Sequence, residues 1–151
     1  MAKSPNPRNN SWLYWSAETW AILALRLFLS LLFITACLGK FISDGSFAFS
    51  NYYESTIPHL IASFDGTILP RFLVAPYVYC LAYIQLLLGL ALLLGIKTKY
   101  TLALFAAMFV SLAFGKMCQG DQQVVNNFGV YLLVNSAALY FVRHNKLELV
   151  R

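Results

Sequence analysis

The chain has 151 residues, 60% of them hydrophobic and only 11% charged, with a mean hydropathy of +0.65. A soluble domain carries about 25% charged residues, so this balance excludes an ordinary water-soluble fold. The net charge of +5 is not a nucleic-acid footprint: seven of the eleven Lys/Arg lie in the termini and in the "KTK" turn at 97–99, where membrane proteins place charge for topology.

Residues 1–19 are polar, carry two prolines and read as a tail. Trp12, Trp15 and Trp20 form a belt at headgroup level, and the first apolar span is expected over about 20–41. In the long connection that follows, Phe49, Tyr52, Tyr53, Thr56, Ile57, Leu60, Ile61 and Phe64 recur at helical spacing. Ser50, Asn51, Glu54, Ser55, His59 and Ser63 fill the other face, so this segment should lie in the interface, with Pro58 splitting or kinking it. Further spans are expected at about 75–96, 100–117 and 124–142, followed by a polar tail over 143–151. The expected fold is all-α: an integral membrane four-helix bundle with an amphipathic interfacial segment after the first span. Ala103, Ala107, Ser111 and Gly115, every fourth residue of the third span, read as a close-packing seam.

Counting Lys/Arg places both termini and the "KTK" turn in the cytoplasm, with the aromatic connection and the "CQGDQQ" turn outside, the periplasmic side of a bacterial inner membrane. Three cysteines without a CxxC pair and two scattered histidines provide no disulfide framework, haem site or metal cage.

The polar residues inside or beside the spans are the candidates for chemistry. "FITACLGKF" (33–41) and "FVSLAFGKM" (109–117) end alike, which points to two related hairpins. Their lysines, Lys40 and Lys116, either extend to the interface or converge with Asp121 on a polar or anionic head group. Asp121 follows Gly120 and is placed to cap the fourth helix. Asn126 and Asn127 follow at a depth where amides need partners, and Asn135 lies about 80° from Asn127 around the helix. Arg26 needs an acceptor from another helix or a lipid phosphate, and Gln85 is placed to bond either Asn135 or Arg26. No nucleophile–base set, phosphate loop or dinucleotide fingerprint is present.

"LRLFLSLLFITACLGKF" (25–41), "APYVYCLAYIQLLLGLALLLGIKTKYTLALFAAM" (75–108) and "GDQQVVNNFGVYLLVNSAALYFVRHNK" (120–146) stand in an order and spacing that resembles the DoxX family. The resemblance implies a small membrane subunit of a redox complex, similar to the small subunit of a terminal quinol oxidase linked also to thiosulfate:quinone oxidoreduction. Arg26, Lys40, Asp121 and Asn127 carry over as motif positions without assigned roles. The family commonly has Glu where this chain has Tyr83 or Gln85, which removes a carboxylate for proton transfer. The expected function is a membrane subunit of a quinone-linked redox complex that binds quinone or anchors its partner. The alternative is an accessory chain packed on a larger membrane complex or in a homo-oligomer. Neither reading gives the chain a cofactor bound by itself; quinone and membrane lipid are the expected small-molecule contacts.

Overall fold

The computed structural model describes residues 15–43, 45–147 and 149. Trp12, Lys3, Arg8 and Arg151, used above for the belt and the topology, lie outside those residues.

Helix α1, Ala17–Leu38, begins where Ser16 Oγ accepts the Thr19 N–H at 3.4 Å, and passes into a 3₁₀ turn at Gly39–Phe41. A two-residue antiparallel ribbon, β1 (Ile42–Ser43) and β2 (Ser46–Phe47), leads into the interfacial segment. That segment runs without a break through α2 (Phe49–Asn51), a π turn (Tyr52–Thr56) and α3 (Ile57–Ala62). Pro58 therefore does not split it. Proline has no N–H and crowds the carbonyl four residues back. The wider π turn just ahead, closed by the Ile57 N–H on the Tyr52 carbonyl, accommodates both defects. Tyr52 and Ile57 are buried, whereas Phe49 and Tyr53 at the edge of the apolar face are exposed.

Helix α4, Arg71–Leu94, starts about a turn before the expected span and contains Pro76. The Pro70 carbonyl takes the N–H groups of Leu73 and Val74, and Arg71 forks onto Asp65, with Nε–Oδ1 at 2.8 Å and Nη2–Oδ2 at 2.5 Å. Helices α5, Thr98–Cys118, and α6, Gln122–Phe141, complete the set, followed by a 3₁₀ turn at Val142–His144. The segments Ala17–Phe41, Arg71–Leu94, Thr98–Cys118 and Gln122–His144 are each long and apolar enough to cross a membrane.

Two antiparallel pairs, α1 with α4 and α5 with α6, make the closest packing; α1 also leans on α6, and α4 touches α5 sparsely. Phe33 stacks on Phe105 with ring centroids 4.0 Å apart and meets Phe109 edge-on at 5.1 Å, so α1 and α5 share the centre of the core. The α1–α4 contact depends on Gly89. A Cβ there would lie 2.9 Å from Ile34 Cγ1 and 3.2 Å from the Ser30 carbonyl oxygen. The stripe on α5 behaves differently from the expected seam: Ala103 and Ala107 are exposed, Ser111 bonds Tyr77 of α4 at 2.9 Å, and Gly115 lies against the Phe64 ring. Phe105 and Phe109 fill the core, which leaves the small residues beside the loose α4–α5 contact.

Replacing Gly89 by Val should lower the thermal midpoint in detergent, with a loss of about 1–3 kcal/mol from overpacking. Gly129→Ala, where an added Cβ meets nothing within 4 Å, should leave the midpoint unchanged or slightly higher. An unchanged midpoint in Gly89→Val would contradict the close α1–α4 approach.

Candidate functional site

The two ends of the bundle carry different polar clusters. At the end where α1 begins and α6 finishes, Arg26 is 4% exposed. Its Nη2 donates to the Leu93 carbonyl at 3.0 Å, and its Nη1 to Asn145 Oδ1 at 2.9 Å and to the Leu147 carbonyl at 2.5 Å. The Asn145 amide in turn donates to Thr98 Oγ1 at 2.9 Å. Helix α4 ends in a Schellman motif: Gly95, at φ 73°, and Ile96 donate to Leu92 and Ala91, which leaves the Leu93 carbonyl for Arg26. Gly95 is required twice over, since a Cβ would also stand 2.5 Å from the Leu147 carbonyl oxygen. The stretch after α6, read as a polar tail, thus folds back across the α4–α5 turn, where Leu149 N–H donates to the Gly95 carbonyl at 3.2 Å.

At the opposite end, Lys40 closes α1. The last carbonyls of a helix lack partners within it. Here Gly39 N–H serves those of Thr35 and Cys37, and Lys40 Nζ donates to that of Ala36 at 2.8 Å. Side chains lean toward the N-terminus of their helix. A lysine at the C-terminal end of this span therefore points its ammonium back along α1 instead of outward. Its second acceptor is Gln85 Oε1 at 2.6 Å. Gln85 is 3% exposed and sits just past the midpoint of α4.

This pair is electrostatically one-sided. An ammonium has three N–H donors and a carboxamide has two. The third donor of Lys40 and both of Gln85 Nε2 have no acceptor among the described residues. The ion pairs among those residues are Arg71–Asp65 and Lys116–Asp121, so no carboxylate there neutralises Lys40. The arrangement offers hydrogen-bond donors and positive charge to an incoming oxygen in an apolar setting, where such donors are most effective.

The interfacial segment is stitched to this cluster. Thr56 Oγ1 donates to the Lys40 carbonyl at 2.7 Å, and Asn51 Nδ2 to that of Phe41 at 3.2 Å. The Tyr52 hydroxyl donates to the Val78 carbonyl, and burial pushes its phenol above the ordinary value, so it remains a donor. Tyr53 shares a hydroxyl–hydroxyl hydrogen bond with Tyr83, two residues before Gln85, and both rings are about half exposed. Sequence reasoning did not single out these tyrosines as a set; their signal was the four-residue step from Tyr79 to Tyr83 facing an aromatic connection.

The remaining candidates are placed elsewhere. Lys116 Nζ lies 3.5 Å from Asp121 Oδ2, while Asp121 Oδ1 accepts the Val124 N–H at 3.3 Å as the cap of α6. Gly120, at φ 76°, and Asp121 donate backbone N–H groups to Met117 and Lys116, forming a second Schellman turn. Asn126 and Asn127 are exposed on α6, and Asn126 borders an open groove of about 570 Å³ between α5 and α6. Asn135 is fully buried and donates to the Leu102 carbonyl at 3.0 Å, away from both Asn127 and Gln85. Lys40 therefore pairs with Gln85, Lys116 with Asp121, and Arg26 stands at the far end. Among the described residues, no group of three or more His, Cys, Asp or Glu is placed to hold a metal, and Cys37, Cys80 and Cys118 are free thiols.

Four bilayer-length helices packed as antiparallel pairs, with ionisable groups turned into the bundle, define a small integral membrane protein. The DoxX family model matches residues 21–117, well over half of the sequence, and the chain belongs to that family. The match takes in α4 and ends in the last turn of α5; Arg26, Lys40, Gln85 and Lys116 fall inside it, and Asp121, Asn126 and Asn127 outside. No curated protein and no solved structure matches the chain.

Arg26→Leu should release the C-terminal strap, since each buried carbonyl left without a donor costs about 1–3 kcal/mol. Hydrogen exchange at the Leu149 amide should accelerate and the thermal midpoint should fall. Protection equal to wild type would show that the strap does not depend on Arg26.

Proposed function

We propose that this chain is a membrane subunit of a quinone-linked redox complex, set in a bacterial inner membrane with both termini cytoplasmic, and that Lys40 and Gln85 receive a quinone carbonyl. One observation carries the reading: three N–H donors without an acceptor among the described residues, on Lys40 and Gln85, whose Nζ and Oε1 stand 2.6 Å apart, lie where α1 ends against α4. A quinone head group presents only acceptor oxygens and travels in the lipid on an apolar tail, so it meets both demands of the site. When bound it would supply the electron chemistry. The chain's own residues bind and orient it: Lys40 and Gln85 hold an oxygen, and the Tyr53–Tyr83 pair flanks the turn of α4 that carries Gln85. Electron carriers beyond the quinone belong to partner chains. Lys116 and Asp121 close the α5–α6 turn, and Arg26 secures the opposite end of the bundle.

A second reading, an accessory chain within a larger membrane complex or homo-oligomer, draws on α6. Asn126 and Asn127 are exposed there, on the first turns of a helix that farther along exposes Val130 and Leu133. Amides facing lipid are costly, and a partner helix would satisfy them. The two readings are compatible if α6 docks while the α1–α4 pair binds.

Protein purified from native membranes in mild detergent should retain quinone detectable by solvent extraction. Lys40→Met, losing a charge-assisted bond of about 1.5–3 kcal/mol, should weaken binding by about 10- to 100-fold and strip the quinone. Lys116→Met should retain it. Loss in Lys116→Met with retention in Lys40→Met would move the site to the α5–α6 turn.

A further inference from the structure

Deepening the α6 reading above, on which it rests, we propose that the outer face of α6 and the groove beside it form a two-fold interface with a second copy of this chain. Of the four spans, α6 is the least buried. Its exposed residues Gln122, Asn126, Gly129, Leu133, Ser136 and Tyr140 follow steps of four and three. At 100° per residue they lie within a sector about 80° wide, the seam spacing of a left-handed helix pair. Any long exposed helix face follows similar steps, so the argument rests on the residue types. A glycine inside a helix is destabilising relative to alanine. Gly89 is needed because Ile34 stands against it, but at Gly129 an added Cβ meets nothing within 4 Å and the backbone is not left-handed. Nothing within the chain calls for glycine there, whereas a second helix at close approach does. Asn126 lies one turn into the span. Its Oδ1 accepts Gln122 Nε2 at 3.4 Å, and its Nδ2 has no acceptor among the described residues. Lipid tails offer an amide no partner.

The face is complementary to itself, which singles out a second copy as the partner. A carboxamide both donates and accepts, so Asn126 can bond the same residue on an identical helix. Both copies insert with one topology, so the two-fold axis runs along the membrane normal and brings the two Asn126 residues to one depth. No residue of α6 is charged, so no repulsion opposes the pairing and no charged partner is called for. Ridge and groove are also adjacent on this surface. The groove of about 570 Å³ is lined by Val110, Ala113 and Phe114 of α5 and by Asn126, Gly129 and Leu133 of α6. Leu133, exposed at its rim, gives each copy a ridge for the groove of the other. Asn127, about 100° farther round the helix, lies outside this seam.

The test uses full-length protein labelled in separate pools with donor and acceptor fluorophores and reconstituted together in phosphatidylcholine vesicles. Wild type should show energy transfer that unlabelled wild type competes away. Asn126→Leu should weaken the association about 3- to 20-fold, and Gly129→Leu about 5- to 100-fold. Both should keep the helical circular dichroism of wild type; if Gly129→Leu does not fold, Asn126→Leu decides. Leu87→Ala, on the outer face of α4, should associate as wild type does. Transfer no greater than random proximity gives, or transfer unchanged in folded α6 variants, would overturn the second-copy interface. The α6 reading itself is followed separately, on native gels of solubilised native membranes. Pure protein that stays monomeric, beside a larger complex that Asn126→Leu breaks, would leave α6 as a docking face for another chain and overturn self-association alone. No effect of the variant in either setting would overturn both.

Discussion

Helix α1 and the 3₁₀ turn that follows it place a basic side chain near each end of the contact with α4, and each reaches backbone carbonyls that a helix end leaves open. Arg26 takes the Leu93 carbonyl in the last turn of α4, and Lys40 takes the Ala36 carbonyl in the last turn of α1 itself. Inside a bilayer every backbone polar group needs a protein partner. The carbonyl end of a helix is also the end that favours a cation. One requirement thus explains why two cations are tolerated where the sequence is otherwise apolar. It also explains why Gly95 and the strap after α6 are drawn to Arg26.

The two cations end in different states. Arg26 is enclosed by Asn145, by the Leu147 carbonyl and by the end of α4, and its work is architectural. Lys40 is half-buried and donates to the oxygen of a glutamine, whose N–H groups have no acceptor among the described residues. A carboxylate at Gln85 would have closed the site with an ion pair; the amide leaves it with donor capacity. On the proposed reading, the difference between Arg26 and Lys40 is a matter of unspent hydrogen bonds. On the opposite pair of helices, Asp121 spends both its oxygens on the α5–α6 turn, one on Val124 and one on Lys116.

The four spans were legible because apolar length and flanking charge are local properties. The interfacial segment was legible from its helical periodicity, although the π turn that absorbs Pro58 was not. The close α1–α4 contact at Gly89 stayed hidden in a run of leucines. The regular small-residue spacing on α5 pointed instead to a seam that lines a loose contact. Arg26 was recognisable as a cation needing an acceptor from another segment, but one of its partners is the carbonyl of Leu147, which no side-chain pattern reveals. Gln85 was expected to meet Asn135 or Arg26, and it meets Lys40. The backward lean of side chains along a helix was the available signal for that contact, since it turns a lysine at a span's C-terminal end inward. Asn127 and Asn135, about 80° apart around α6, differ in burial: the first is exposed and the second fully buried.

The most direct test of the Lys40–Gln85 site is photoaffinity labelling in native membranes with an azido-quinone, followed by peptide mapping. The account predicts label on the segments around Lys40 and Gln85, at the facing turns of α1 and α4, suppressed by excess unlabelled quinone. Label confined to the segment from Lys116 to Asn127, or label indifferent to competing quinone, would contradict it.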